Sequence, residues 1–514
     1  MFKKHFLNSV YLIFLGAISA FSLPPYNYFI INFITFTLFF IFIFNKRKVF
    51  FNNKHFFLYG WSFGFGYFLS GLYWISISLT FDQTFRFLIP FAIILVPAFL
   101  GIFYGLITYL FSVFYSKKVI ISFLTFSILF GTIEFIRSFV LTGFPWNLIA
   151  FTFTENKNFI QILSVIGTYS FNLICISLFT CPAVFILRRS IKEAFVCFLF
   201  IIVSITFLIL GTMKNNKFDL VKKTKHNYII RAISSNISLD RFYSDQDELE
   251  VINELISLSN SKNNQKIIFL WPEGIIPYSN LGDMKLYENL FSDNFNKNHL
   301  IIMGINNLEN KGDKDLYFNS LAVFDSQLNL INSYNKVNLV PFGEFVPFEN
   351  VLRFLGLRTI TNNYQSYSKG LDRKILNLKI DEFNLGLLPL ICYEIIYSGK
   401  LSKSQNFDYI INISEDGWFG KSIGPKQHFT HSIFRSIESG KYIIRSANNG
   451  ISAIINPVGA IEKQVKFGET GYIDFIESKT IKNTLFSKYG NIIFIILILL
   501  YIFLIFSFNK IIDE

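Results

Sequence analysis

Apolar positions in this chain are bunched. Residues 1–212 run almost without charge, residues 225–480 alternate short apolar runs with polar stretches, and residues 491–508 are apolar again. A helix needs about 20 mostly apolar residues to cross the hydrocarbon core of a bilayer. Eight segments qualify: 7–23, 28–45, 56–80, 87–115, 119–140, 158–187, 194–212 and 491–508, the first two separated by Ser22-Leu23-Pro24-Pro25. Between 225 and 480 the pattern predicts strands at 228–234, 266–271, 299–305, 318–325, 385–391, 409–413, 451–456 and 472–475. Phe429, Ile433, Phe434 and Ile437 recur at helical spacing and Gly440 follows them, which predicts a helix over 425–440. Strands alternating with helices imply an α/β domain around a buried sheet. The expected architecture is an α-helical transmembrane bundle (1–212), an α/β soluble domain (225–480) and a last transmembrane helix (491–508).

Composition supports a membrane chain: of 514 residues, 52% are hydrophobic and only 16% charged, against about 25% charged in soluble domains. The net charge of +12 sits almost wholly in residues 1–212, which carry fourteen Lys and Arg against Asp82, Glu134, Glu155 and Glu193. The remainder is nearly neutral and lacks the basic face that phosphate backbones require, which excludes nucleic acid as a partner. Lys3 and Lys4, then Lys46, Arg47, Lys48 and Lys54, then Lys117 and Lys118, then Arg188, Arg189 and Lys192, and finally Lys510 fall in alternate loops, whereas the opposite short loops hold only Arg86 and Lys157. Basic residues stay on the cytoplasmic side, so both termini are expected there, with the soluble domain across the membrane. The first span lacks a small-residue cleavage site and is expected to remain uncleaved. Glu134 and Arg137, at i and i+3 inside the fifth span, are expected to pair.

Chemistry concentrates in the soluble part. Cys175, Cys181 and Cys197 lie in the sixth and seventh spans, leaving Cys392 as the one thiol of the domain and precluding a disulfide within it. Cys392 ends the apolar run 385–391, Glu273 follows the run 267–272, and Lys336 follows Tyr334-Asn335. Strand ends are where an α/β sheet presents side chains to a crevice. A thiol, a carboxylate to take its proton and a cation for a developing oxyanion are the parts of acyl transfer. His428 and His431 stand at i, i+3 in the predicted helix without further His or Cys ligands, so no metal site is expected and both are read as polar helix-surface residues. No phosphate-binding glycine loop or dinucleotide fingerprint is present, and no cofactor is expected.

In chain order, Glu273, Lys336 and Cys392 match the Glu-Lys-Cys triad of the nitrilase superfamily, which the soluble segment resembles. More narrowly, the whole chain resembles the apolipoprotein N-acyltransferase family, the membrane branch that completes bacterial lipoprotein maturation. The matching pieces are Trp271-Pro272-Glu273-Gly274, Tyr334-Asn335-Lys336, the run 339–347 (LVPFGEFVP), Ile391-Cys392-Tyr393-Glu394-Ile395, Asp416-Gly417-Trp418-Phe419-Gly420 and the run 445–450 (RSANNG), with 71–75 (GLYWI) and 143–147 (GFPWN) in the bundle. The chain departs from the family at Ser414-Glu415-Asp416, where Ser-Asn-Asp is common, and at Phe242 and Tyr243, where a tryptophan is usual.

The resemblance implies a nitrilase-like αββα sandwich in a multi-pass protein of the bacterial inner membrane, acting as a monomer. It also implies a reaction in which a phospholipid donates an acyl chain to Cys392 and the α-amine of a diacylglyceryl lipoprotein's N-terminal cysteine accepts it. Glu344, eight residues after Lys336, takes the position of the family's supporting glutamate, and Tyr393 and Glu394 are expected to shape the acceptor site. The apolar stretch 345–348 and 351–357 is expected to rest on the membrane and gate lipid entry. Two other readings fit the residues: a membrane-tethered amidase with the same triad, and a non-enzymatic binding or transport protein.

Overall fold

The computed structural model describes residues 2–49, 52–188, 191–243, 248–261, 264–311, 314–347, 366–380, 383–399, 401 and 406–513. The chain divides into two compact units, one comprising Met1–Ile77, Phe85–Lys217 and Thr484–Glu514, the other Ser78–Thr84 and Phe218–Asn483.

In the first unit the described residues form the long helices Phe2–Ser19, Ile30–Val49, Asn53–Leu72, Ile89–Val113, Val119–Arg137, Leu163–Leu187, Ile191–Leu220 and Ile492–Asp513. Seven segments among the described residues are long and apolar enough to cross a membrane: His5–Ser22, Ile30–Val49, Gln83–Val113, Val119–Arg137, Phe159–Leu187, Phe195–Leu220 and Ile492–Lys510. The segment expected at 56–80 is not among them. Its helix begins with Asn53, Lys54 and His55, carries Ser62 and four glycines, stops at Leu72 and gives way to 3-10 turns over Tyr73–Thr80. Burial of Phe56, Tyr59, Phe63, Tyr67 and Phe68 against neighbouring helices lets it be less apolar than a lipid-facing span. Glu134 and Arg137 form a buried ion pair, and Arg137 also donates to the carbonyls of Phe144 and Trp146. The pair therefore pins the turn that follows its own helix.

The second unit is built on thirteen described strands: β1 Thr224–Ser234, β2 Ile267–Leu270, β3 Ile276–Asn280, β4 His299–Lys311, β5 Lys314–Phe324, β6 Leu330–Asn335, β7 Leu376–Ile380, β8 Phe383–Ile391, β9 Tyr409–Glu415, β10 Tyr442–Asn448, β11 Ser452–Ile455, β12 Ile461–Val465 and β13 Gly471–Ser478. They make a sheet of order β13-β1-β2-β4-β5-β6, with β3 also pairing β4, and a second sheet of order β12-β11-β10-β9-β8-β7. One apolar core joins the inner faces, Ile230, Ile268, Leu300 and Leu321 from the first meeting Leu387, Ile411, Ile444 and Ile454 from the second. The outer face of the first sheet packs on helices Glu248–Ser259 and Glu288–Asn294 through Ile252, Leu255, Phe291 and Trp271. Helix Gly424–Ser439 covers the second, ending at Gly440, whose φ of 68° is the left-handed cap that glycine adopts readily. The layers are thus αββα.

Pro389 lies inside β8 yet breaks no ladder. The β7 register stops at Leu387, so residues 388–391 pair with β9 alone and the missing N–H has no partner to lose. β1, β2 and β4 run parallel, as do β8, β9 and β10. This brings the chain beyond β2, β8, β9 and β10 to a common end of the sandwich.

Candidate active site

Glu273 lies three residues beyond β2, Cys392 immediately after β8 and Lys336 immediately after β6. Lys336 Nζ donates to Glu273 Oε1 at 3.0 Å and to Glu344 Oε1 at 2.9 Å, and Asn319 on β5 bridges the same two oxygens at 2.8 and 2.6 Å. Glu273 Oε2 accepts the backbone N–H of Glu415 at 2.9 Å. Among the described residues, the ammonium thus donates to two carboxylates. Cys392 keeps 8% and Glu273 6% of its surface exposed, whereas Lys336 keeps 1%. All three side chains are buried, Lys336 the most deeply.

Burial alone would lower the Lys336 pKa, but the facing carboxylates of Glu273 and Glu344 outweigh it and hold the ammonium charged. Burial raises the Glu344 carboxyl, Lys336 opposing and Glu273 adding to the rise. The Cys392 thiol is pushed well above its ordinary value by burial and by the Glu273 charge, with Lys336 acting against both. A standing thiolate is therefore disfavoured at this position. Cys392 itself has a φ of 47°, a left-handed conformation that costs a non-glycine residue about 1–2 kcal/mol and persists only where its surroundings enforce it.

Those surroundings combine a residue that the sequence reading passed over with several whose setting differs from the one expected. Gly304 on β4 stands against Glu273: a Cβ there would lie 2.6 Å from Glu273 Cα, so only glycine fits. Glu394, fully buried, accepts from Tyr334 Oη at 2.8 Å, Val337 N at 2.9 Å, Asn338 N at 3.1 Å and Arg373 at 3.1 Å through one oxygen, and from Ile391 N at 2.9 Å through the other. It ties the lysine loop to the Cys392 turn, with both carboxylate oxygens occupied. The Tyr393 ring, also buried, packs edge-on against Tyr397 at 5.6 Å. His428 and His431, read as surface residues, are buried inside the covering helix. That helix is enclosed on nearly every side, so its polar stripe meets protein instead of water. His428 reaches Asp416 and the Cys392 carbonyl, and Asp416 is clamped by Arg445 at 2.8 and 2.9 Å.

Residues 15–181 match the apolipoprotein N-acyltransferase N-terminal domain, and residues 243–475 match the carbon-nitrogen hydrolase family. An apolipoprotein N-acyltransferase of Rhizobium rhizogenes is 31% identical over 91% of this chain and 90% of its own, and one of Rickettsia prowazekii is 33% identical over 89% and 90%. The chain belongs to the apolipoprotein N-acyltransferase family. It is an acyltransferase with a carbon-nitrogen hydrolase domain and a multi-pass bacterial membrane protein. Among solved structures, an amidase of the nitrilase superfamily from Nesterenkonia sp. AN1 aligns with 51% of this chain and 93% of its own at 12% identity and a TM-score of 0.34.

Both departures from the family pattern have a physical setting. The Glu415 carboxylate, where the family often has asparagine, is buried with Arg241 in an ion pair and also accepts from Asn448 at 2.6 Å and Gly417 N at 2.8 Å. Arg241 uses its remaining donors on the carbonyls of Gly274, Ile237 and Ser238. The pair thus braces the turn carrying Glu273. Removing one partner of a buried pair leaves an uncompensated charge, worth about 3–5 kcal/mol. Glu415→Gln is accordingly expected to lower the thermal midpoint of the full chain in detergent, and Arg241→Met combined with Glu415→Gln to recover most of the loss. In the second departure, Phe242 and Tyr243 pack on Trp418 at 5.2 and 6.5 Å, and Phe81 meets the same indole edge-on at 6.0 Å. The Phe242 ring stands over Gly274, next to Glu273. The position vacated by one tryptophan is thus filled by an aromatic group built around another. Of the expected lid, 345–347 follow Glu344 while Phe348 and 351–357 lie outside the described residues.

Proposed function

We propose that Cys392 carries the acyl chain as a thioester in a two-stage transfer from a phospholipid to the N-terminal amine of a lipoprotein, within a catalytic domain spanning 225–480. The observation that carries this reading is the buried Lys336 ammonium held between Glu273 and Glu344 beside a left-handed cysteine. Glu273 Oε2 takes the thiol proton as sulfur attacks the ester carbonyl. Lys336 and the Tyr393 backbone N–H stabilise the oxyanion that forms. Collapse breaks the C–O bond, the departing alkoxide recovers the proton from Glu273, and lysophospholipid leaves. In the second stage the lipoprotein amine attacks the thioester, Glu273 takes its proton, and the expelled thiolate receives it back. Glu344 keeps Lys336 charged and in place, and Glu394 holds the lysine loop against the nucleophile turn.

The aromatic group of Phe81, Phe242, Tyr243 and Trp418 offers an apolar wall for an acyl chain beside the base. Taking the chain directly from the bilayer avoids exposing it to water, at about 0.8 kcal/mol per CH₂. The bias of Lys and Arg to alternate loops supports a topology with both termini in the cytoplasm and the domain on the opposite side of the inner membrane.

Incubating the full chain with phospholipid vesicles and a diacylglyceryl-cysteinyl peptide tests the reading by mass spectrometry. One lysophospholipid should appear for each N-acyl peptide, with parallel double-reciprocal plots. Lysophospholipid released without peptide acylation points instead to hydrolysis, and neither product to a binding protein.

A further inference from the structure

His428 is a buried, hydrogen-bonded imidazole that the mechanism above leaves unused. His428 Nε2 lies 3.2 Å from the carbonyl oxygen of Cys392, and its Nδ1 lies 2.9 Å from Asp416 Oδ1 and 3.2 Å from Arg445 Nη2. A carbonyl only accepts, so Nε2 carries the proton in this contact. Asp416 is fixed in turn by both Arg445 contacts and by Ser414 Oγ at 2.7 Å, and Arg445 by Ile451 O and Asn412. All three charged or titratable members are fully buried. The array reaches Cys392 through the oxygen of the Cys392–Tyr393 peptide, and Ser414, which donates to Asp416, also meets the Cys392 side chain.

We propose that His428 is a positioning residue that acts through the Cys392–Tyr393 peptide, holding its carbonyl so that the Tyr393 N–H is aimed and strengthened as the oxyanion donor. The peptide unit is planar and trans, so its C=O and N–H point in opposite directions and a bond that fixes one fixes the other. A donor on the carbonyl also draws electron density from the nitrogen and makes the N–H a better donor, the cooperative effect seen in hydrogen-bond chains. The same contact supports the left-handed Cys392 backbone, which is strained and requires restraint from outside the turn. Removing a direct oxyanion donor costs about 10²–10³ in rate. An indirect effect through one peptide is expected to be smaller, about 10-fold.

The inference rests on Cys392 being the nucleophile, and the test separates the two. In full-length protein with phospholipid vesicles, three readings are taken: the rate of Cys392 acylation, KM for phospholipid, and the infrared carbonyl frequency of the acyl-enzyme. His428→Leu lacks the donor, and His428→Asn has an amide too short to reach the carbonyl. Both should acylate about 10-fold more slowly at unchanged KM, with the thioester band moved to higher frequency as its hydrogen bonding weakens. His428→Gln, which can place an N–H near Nε2, should recover most of the rate and return the band. His428→Asn keeps the test decisive if His428→Leu does not fold. An unshifted band with a wild-type acylation rate in either donor-less variant overturns the role of His428. Absence of any adduct on wild-type Cys392 overturns the parent reading instead.

Discussion

Cys392→Ala is expected to abolish acyl transfer, with a loss on the order of 10⁶-fold, as when the nucleophile of a covalent enzyme is removed. The chain should still fold. The substitution deletes one sulfur atom from a site that retains some exposure, and the left-handed φ of 47° is as costly for alanine as for cysteine. Purified variant in detergent should show a wild-type thermal midpoint, no lysophospholipid release and no N-acyl peptide. Retained turnover would move the covalent step to another residue. Because burial and the Glu273 charge hold the thiol well above its ordinary range, wild-type Cys392 should also alkylate slowly with iodoacetamide near neutral pH and faster as pH rises. A cysteine activated as a standing thiolate would show no such slope.

Lys336→Ala should be the second severe variant, failing in activity and in stability for different reasons. Loss of an oxyanion donor alone is worth about 10²–10³ in rate. Structurally, Lys336 is the cation between Glu273 and Glu344, and its removal leaves two buried carboxylates facing each other, destabilising by about 3–5 kcal/mol. The pH dependence follows from the direction of the Glu344 shift, which burial already raises and which loss of Lys336 raises further. A carboxyl whose folded pKa exceeds its unfolded value favours the fold at low pH and loses that contribution as pH rises through the folded value. The variant should therefore lose more of its thermal midpoint relative to wild type at pH 8 than at pH 5. A deficit independent of pH would mean that the two carboxylates are not the source of the instability. Lys336→Arg should keep the charge yet recover little activity, because a planar guanidinium does not reproduce the ammonium's geometry between two single oxygens.

Much of this site was legible in the chain because its chemistry stands at the ends of apolar runs. The 267–272 and 385–391 runs announce strands, and Glu273 and Cys392 follow them directly. The helix at 425–440 was readable from its apolar spacing and matches Gly424–Ser439 closely. β10 was missed because Arg445, Ser446 and Asn448 interrupt its apolar pattern, although all seven of its residues are buried. These polar groups are there to bind Asp416, Ile233 O and Glu415. β12 was missed for the opposite reason: Ile461, Glu462, Lys463 and Gln464 are exposed on an edge strand. His428 and His431 were misassigned because helical spacing reports which residues share a face and not what covers that face. Asn319, an amide near the start of the strand predicted at 318–325, was a signal that could have been read, since a buried strand amide must have partners. Its partners are Glu273 and Glu344. Arg241 gave no comparable local signal: its partner Glu415 lies 174 residues away.

The most direct test is the intact mass of the full chain after incubation with phospholipid vesicles of a single acyl composition and no acceptor. Thioester chemistry at Cys392 predicts one added acyl group, mapped to the peptide containing Cys392, removed by hydroxylamine and discharged onto a diacylglyceryl-cysteinyl peptide. A chain that turns over while Cys392 stays unmodified, or an adduct that hydroxylamine cannot remove, would contradict it.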